Sequence, residues 1–217
     1  MKKSTPSKAD IALLEPFVGL PLEHIHVPTT KVQFASATAE IKASGIAGFD
    51  TESKPTFVTG DISDGPHIVQ FAVHNKAFIF QLHRADCRQY LIELLQSDHV
   101  LKVGFGLQSD RGHIHAKLGI KLSAVLDLNH VFRKEGYRDE MGVRAAIGIV
   151  LHQKFRKSKK ITTSNWALPE LTNNQLLYAA NDAFAALKVL EALNRSGEYL
   201  ASNQSGSRPR FMRLRTH

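Results

Sequence analysis

A chain of 217 residues and 24.1 kDa, 43% hydrophobic and 22% charged, can bury one full core and is too short for several domains. Its net charge of +8 and pI near 9.6 favour a polyanionic partner without naming one. No apolar run approaches the ~20 residues of a membrane span, the basic start MKKSTPSKAD lacks the apolar stretch of a signal peptide, and the lone Cys87 excludes an intrachain disulfide framework, so the expectation is a cytoplasmic protein.

Residues 1–30 read as a polar tail and an apolar, proline-punctuated packing arm, 31–197 as the folded unit, and 198–217 as a basic tail, disordered until it meets something acidic. In the arm His24 and His26 lie two apart, but with no third ligand nearby they read as ordinary strand or surface histidines. Ser36 is placed to cap a helix running to Ala43, which Gly45 stops. Ile46–Glu52 is the first strand, and the proline- and glycine-bearing residues 53–66 form a loop positioned to line whatever lies at the strand's end. His67–Val73 and Ala77–Leu82, joined by three residues, make an antiparallel hairpin. Cys87–Leu95 is a helix and Val100–Phe105 a buried strand, followed by a helix to Leu118 closed by Gly119. Gly104-Phe105-Gly106 resembles part of a dinucleotide-binding loop, but the third glycine is missing and Asp110 stands in the next turn. Val125–Leu128 is a short strand, Asn129–Arg133 and Gly142–Val150 are helices, and Lys154–Lys160 is strongly basic. Thr172 and Gln175 form a capping box that opens a long helix to about Leu193. Strands and helices interleave, which predicts an α/β domain with a mixed sheet flanked by helices.

Four acids stand at the ends of these elements. Asp50 and Glu52 share one face of the first strand, where two adjacent carboxylates repel each other and resist desolvation. A divalent cation between them removes both problems; a solvated edge or a structural ion pair is the alternative. Tyr178 and Asp182 lie one turn apart on an apolar face of the last helix, and a carboxylate there needs an arginine, a lysine or a metal as partner. Asp110, straight after a strand, either caps its helix or joins the other three acids in a two-cation site. Hard cations such as Mg²⁺ or Mn²⁺ suit four acids with no cysteine or histidine among them.

The order FDTE, VGFGLQSD and LYAANDA resembles the three motifs of the DEDD 3′-5′ exonucleases of the tyrosine subclass. TSNWALPELTNNQLLYAANDA also resembles the ribonuclease D and Werner-syndrome exonuclease branch, and the similarity spans about Gly45 to Leu193. The resemblance implies a ribonuclease H-like fold with a five-stranded mixed sheet. It also implies a two-metal phosphodiester hydrolysis that releases nucleoside monophosphates from the single-stranded 3′ end of DNA or RNA. It puts Asp50 on both metals, Glu52 and Asp182 on the first, Asp110 on the second, and Tyr178 on the attacking water. Ser53 departs from the Werner-type pattern, which tends to have tryptophan there, and Phe57 is a substitute wedge for the terminal nucleotide or a core aromatic. The run Arg156, Lys157, Lys159, Lys160 tracks backbone phosphates or is a solvated surface, with Lys159 and Lys160 as the residues to test. Trp166 reads as a packing anchor rather than a base-stacking platform. A silent nucleic-acid-binding module and a ribonuclease H-like endonuclease are the competing readings.

Overall fold

The computed structural model describes residues 3–56, 63–137 and 140–195. In chain order these form α1 (Lys8–Ala12), β1 (Glu15–Pro16), a 3-10 turn (Leu22–His24), β2 (Ile25–His26), α2 (Lys31–Ser44), β3 (Ile46–Glu52), β4 (Ile68–Val73) and β5 (Lys76–Gln81). There follow α3 (Cys87–Gln96), β6 (Leu101–Gly104), α4 (Gln108–Leu118), β7 (Val125–Asp127), α5 (Leu128–Lys134), α6 (Val143–Val150), β8 (Gln153–Lys154), α7 (Lys159–Thr162) and α8 (Asn173–Arg195).

The main sheet has the order β2-β5-β4-β3-β6-β7. β3 is its pivot: antiparallel to β4, the first arm of the expected hairpin, and parallel to β6. Five strands match the expectation, and the sixth is a two-residue edge, Ile25–His26, which the arm adds beside β5. A separate pair, β1 and β8, ties the arm to Gln153 and Lys154. Alternation along the strands divides the core. Phe49, Val69, Phe71 and Phe80 pack with α2, α3 and α4 on one face. Ile68, Ala72, Ala77 and Ile79 meet α8 on the other, where α5 and α6 extend the layer.

The caps explain most boundaries. Gly45 and Gly119 end α2 and α4 with left-handed φ of +68° and +72°, a conformation that costs glycine little. Thr172 and Gln175 form the expected reciprocal bonds at the start of α8. Two starts differ from expectation. α2 begins five residues before Ser36, because Thr30 and Gln33 make a capping box of the same form. α1 lies within what the composition suggested was tail, nucleated by Ser7 and Asp10. Among the described residues no helix is long and apolar enough to cross a membrane.

Candidate active site

The alternation of β3 sends Gly48, Asp50 and Glu52 toward α8 and Phe49 into the opposite core. α8 crosses β3 so closely that a Cβ on Gly48 would stand 1.9 Å from the carbonyl oxygen of Ala183. The same crossing brings Asp182 to the strand's acids, and one oxygen each from Asp50, Glu52 and Asp182 lies within 4.8 Å of the others.

Asp110 arrives from the other layer. β6 runs parallel to β3, and the chain leaving it is held by Asp127, whose carboxylate accepts from Gly106 N–H (3.1 Å), Leu107 N–H (2.9 Å) and Asn129 N–H (3.0 Å). That clamp starts α4 at the sheet's carboxyl edge, where open α/β sheets bind their ligands. Asp110 stands inside the first turn, with Leu107 at the N-cap, and its Oδ1 accepts the Thr51 hydroxyl. It lines the same cavity of about 630 Å³ as the three clustered acids, together with Ser53, Lys157, Thr162 and Tyr178.

The donor set fits hard divalent cations. It is all carboxylate, and Asp182 is buried, where a carboxylate is seldom left uncompensated. What meets Oδ2 is charge, the Lys157 ammonium at 2.7 Å. The cluster resists ionisation as it stands. Burial, then Asp110 and Asp182, raise Asp50 well above the usual carboxylate range, and burial, then Asp50 and Asp182, push Glu52 up to about 9. Burial raises Asp182 against the opposing pull of Lys157, and raises Asp110 against the Thr51 hydrogen bond. Burial works against the charge on Lys157, but Asp182 and Asp50 outweigh it and raise its pKa.

Tyr178 sits one turn before Asp182, its hydroxyl 2.8 Å from Thr162 Oγ1 and its ring 5.8 Å from that of Trp166. Burial, then Asp182, push the phenol up to about 12. Trp166 is 1% exposed and donates Nε1–H to the Thr162 carbonyl, so it anchors α7 under Tyr178 as the packing reading expected. Lys159 and Lys160 are exposed on α7, clear of the acid cavity, with Lys160 on a neighbouring cavity of about 590 Å³. Phe57 and the 198–217 tail lie outside the described residues. His24 bonds the Asn75 carbonyl through Nδ1 and His26 stacks on Phe78, so neither works as a metal ligand pair here.

Sequence reasoning missed four participants: Lys157 turned inward, Thr162 on the phenol, Thr51 on Asp110, and the Asp127 clamp. Asp127 had a readable signal, as an Asp between a short strand and a helix is a standard N-cap. The inward turn of Lys157 had none, since the run reads as uniformly basic.

A family model described as 3′-5′ exonuclease matches residues 25–198. The mouse bifunctional 3′-5′ exonuclease/ATP-dependent helicase WRN is 28% identical over 155 residues, covering 70% of this chain and 11% of that protein. A 3′-5′ exonuclease of Arabidopsis thaliana is 28% identical over 154 residues, covering 69% of this chain and 54% of its own. The chain thus spans about a tenth and about half of these two relatives. The crystal structure of the Aedes aegypti Nibbler EXO domain superposes with a TM-score of 0.71 at 22% identity, covering 84% of this chain and 93% of that one, which is a likeness of fold.

Proposed function

This chain belongs to the 3′-5′ exonuclease family, of the DEDD type, and from that premise we propose that it hydrolyses nucleic acid stepwise from a single-stranded 3′ end, DNA or RNA, releasing nucleoside monophosphates. The observation that carries the reading is the convergence of Asp50, Glu52 and Asp182 from two elements, with Asp110 and Tyr178 on the same cavity. Two buried and two half-buried acids placed together carry more negative charge than Lys157 can offset, and divalent cations would neutralise it.

Asp50, Glu52 and Asp182 are the proposed ligands of one Mg²⁺ or Mn²⁺, and Asp50 with Asp110 of a second. Bound there, the two ions supply a nucleophile from water near neutral pH and a counter-charge at the leaving oxygen. Thr51 and the Asp127 clamp hold Asp110 in place, and the closeness of α8 to β3 holds Asp182. Tyr178 keeps its proton at neutral pH and orients the attacking water, its oxygen held in place by Thr162 Oγ1. Water adds to phosphorus in line with the P–O3′ bond, that bond breaks, and the 3′ oxygen leaves with a proton. Residues 31–197 are the proposed catalytic unit, with the arm completing the sheet edge. Lys159 and Lys160, exposed beside the site, are the proposed contacts to backbone phosphates further along the strand.

The test follows a 5′-labelled single strand, DNA and RNA in parallel, in Mg²⁺, Mn²⁺ or EDTA. The expected result is a ladder shortening from the 3′ end that EDTA abolishes and that Asp50→Ala reduces at least a thousandfold. Wild-type cleavage by Asp50→Ala sinks the assignment. Nicking of a closed circle would make the protein an endonuclease, and intact but tightly bound strand a silent binding module.

A further inference from the structure

The basic run before the last motif is split by the fold. Lys159 and Lys160 face solvent on α7, whereas Lys157 turns into the acid cavity. Its ammonium lies 2.7 Å from Asp182 Oδ2 and 5.4 Å from the centre of the Tyr178 ring. The groups facing it are therefore Asp182, Tyr178 and, through space, Asp50. Its backbone is pinned independently of that contact: the Arg144 guanidinium on α6 donates to the Lys157 carbonyl, and the Ser158 carbonyl accepts the N–H groups of Ile161 and Thr162. The ammonium is thus a compact charge on a rotatable stem, with a fixed base and a side chain 32% exposed toward the cavity.

The position has a chemical consequence. Asp182 is one of the carboxylates a cation would need, and Lys157 holds one of its two oxygens. Two positive centres on one carboxylate repel, so a loaded site would weaken the lysine's hold on Asp182. The charges of the full site then ask for it elsewhere. Four carboxylates against two divalent ions balance, and a scissile phosphodiester adds one negative charge that the lysine alone among these groups neutralises.

We propose that Lys157 exchanges partners: it is the counter-ion of Asp182 in the metal-free site and binds a non-bridging oxygen of the substrate's terminal phosphodiester in the loaded one. The proposal rests on the exonuclease reading above. It makes Lys157 a substrate-binding residue whose resting place competes with the metal.

Competition and substrate binding have opposite signatures in one substitution, which a merely structural lysine cannot produce. Mn²⁺ binding is measured without nucleic acid by titration calorimetry, for wild type, Lys157→Met, Lys157→Arg and Asp50→Ala. Binding of a 5′-labelled single strand ending in a hydrolysis-resistant phosphorothioate is measured with saturating Mn²⁺, across a salt series. Lys157→Met should bind Mn²⁺ on the order of tenfold more tightly, within the usual range for coupled sites. It should bind the single strand roughly tenfold or more weakly, as expected for losing a hydrogen bond to a charged group. Its salt slope should fall by about 0.7, the increment for one phosphate contact on a single strand. Lys157→Arg, which keeps the charge, should return both affinities toward wild type, and Lys157→Gln, which removes it, stands in for the Met variant if that one folds poorly. Unchanged Mn²⁺ affinity in Lys157→Met, or both affinities moving the same way, overturns the exchange while Mn²⁺ binding lost only in Asp50→Ala leaves the exonuclease reading intact. Wild type that takes up no Mn²⁺ overturns both.

Discussion

Tyr178 shows how a single side chain is prepared for a task by its surroundings. Its ring lies tilted against that of Trp166 and near the ammonium of Lys157, and its hydroxyl meets the Thr162 hydroxyl at 2.8 Å. A phenol held in this way presents its oxygen in one direction, and burial keeps the proton on it. Tyr178→Phe removes the oxygen and little else, so the fold and the carboxylate cluster stay. Turnover should fall about a hundredfold, the low end for losing a group that directs proton movement. The Mn²⁺ affinity and the apparent affinity for a single strand should change less than threefold, since no proposed ligand is touched. Thr162→Val, which frees the hydroxyl without deleting it, should give a smaller loss. A Tyr178→Phe protein with wild-type turnover would remove the phenol from the mechanism and leave it as packing on Trp166.

At the scale of elements, the decisive contact is α8 across β3. Gly48 leaves no side chain between them, and a methyl there would collide with backbone, the Ala183 oxygen at 1.9 Å and its carbon at 2.7 Å. Backbone cannot rotate away as a side chain can, so Gly48→Ala must lift the helix. Overpacking of this kind costs about 2–3 kcal/mol, and here it also carries Asp182 away from Asp50 and Glu52. The expected result is a lower melting temperature and loss of Mn²⁺ binding together. Gly112→Ala in α4 is the control: nothing lies within 4 Å of its missing Cβ, and an exposed helical glycine gains up to about 1 kcal/mol on becoming alanine. Equal effects of the two substitutions would deny the crossing its special role. The elements themselves were largely legible, because the short apolar runs of β3 to β5 bounded by turn residues and the Thr172–Gln175 box are local signals. The start of α2 was legible too, in the Thr30–Gln33 pair rather than in Ser36. The edge strand Ile25–His26 was not, since two residues extend only because β5 offers them a partner. The placing of Lys157 on Asp182 was hidden for the same reason, as it depends on α6 and α8 being neighbours.

For the molecule as a whole, the acid cluster burdens the metal-free fold, and the rest of the molecule carries that burden. In the unfolded chain Glu52 ionises near its ordinary value of 4.5, whereas in the metal-free fold it is pushed up to about 9, and Asp50, Asp110 and Asp182 move the same way. Between those limits the folded state binds more protons than the unfolded state, so stability falls as pH rises. Lys102 has the opposite sign. It is fully buried on β6, donating to the Leu94 and Ser97 carbonyls at the end of α3, and burial pushes it down to about 8. Its folded state holds fewer protons above pH 8, so from there to its ordinary 10.5 it makes stability rise with pH. His67 and His83, both lowered by burial from their ordinary 6.5, act in the same sense as Lys102 below that pH, so a clean measurement of the acid cluster lies between about pH 6.5 and 8. From about pH 6.5 to 7.5, thermal melts in EDTA should show a falling melting temperature. Melts in saturating Mg²⁺ should fall less, so that the metal-induced increment widens with pH, because cations bind the ionised carboxylates and release their protons. Asp50→Asn should flatten the EDTA profile and abolish the increment at once. An increment independent of pH would mean that the cations bind somewhere other than these four acids.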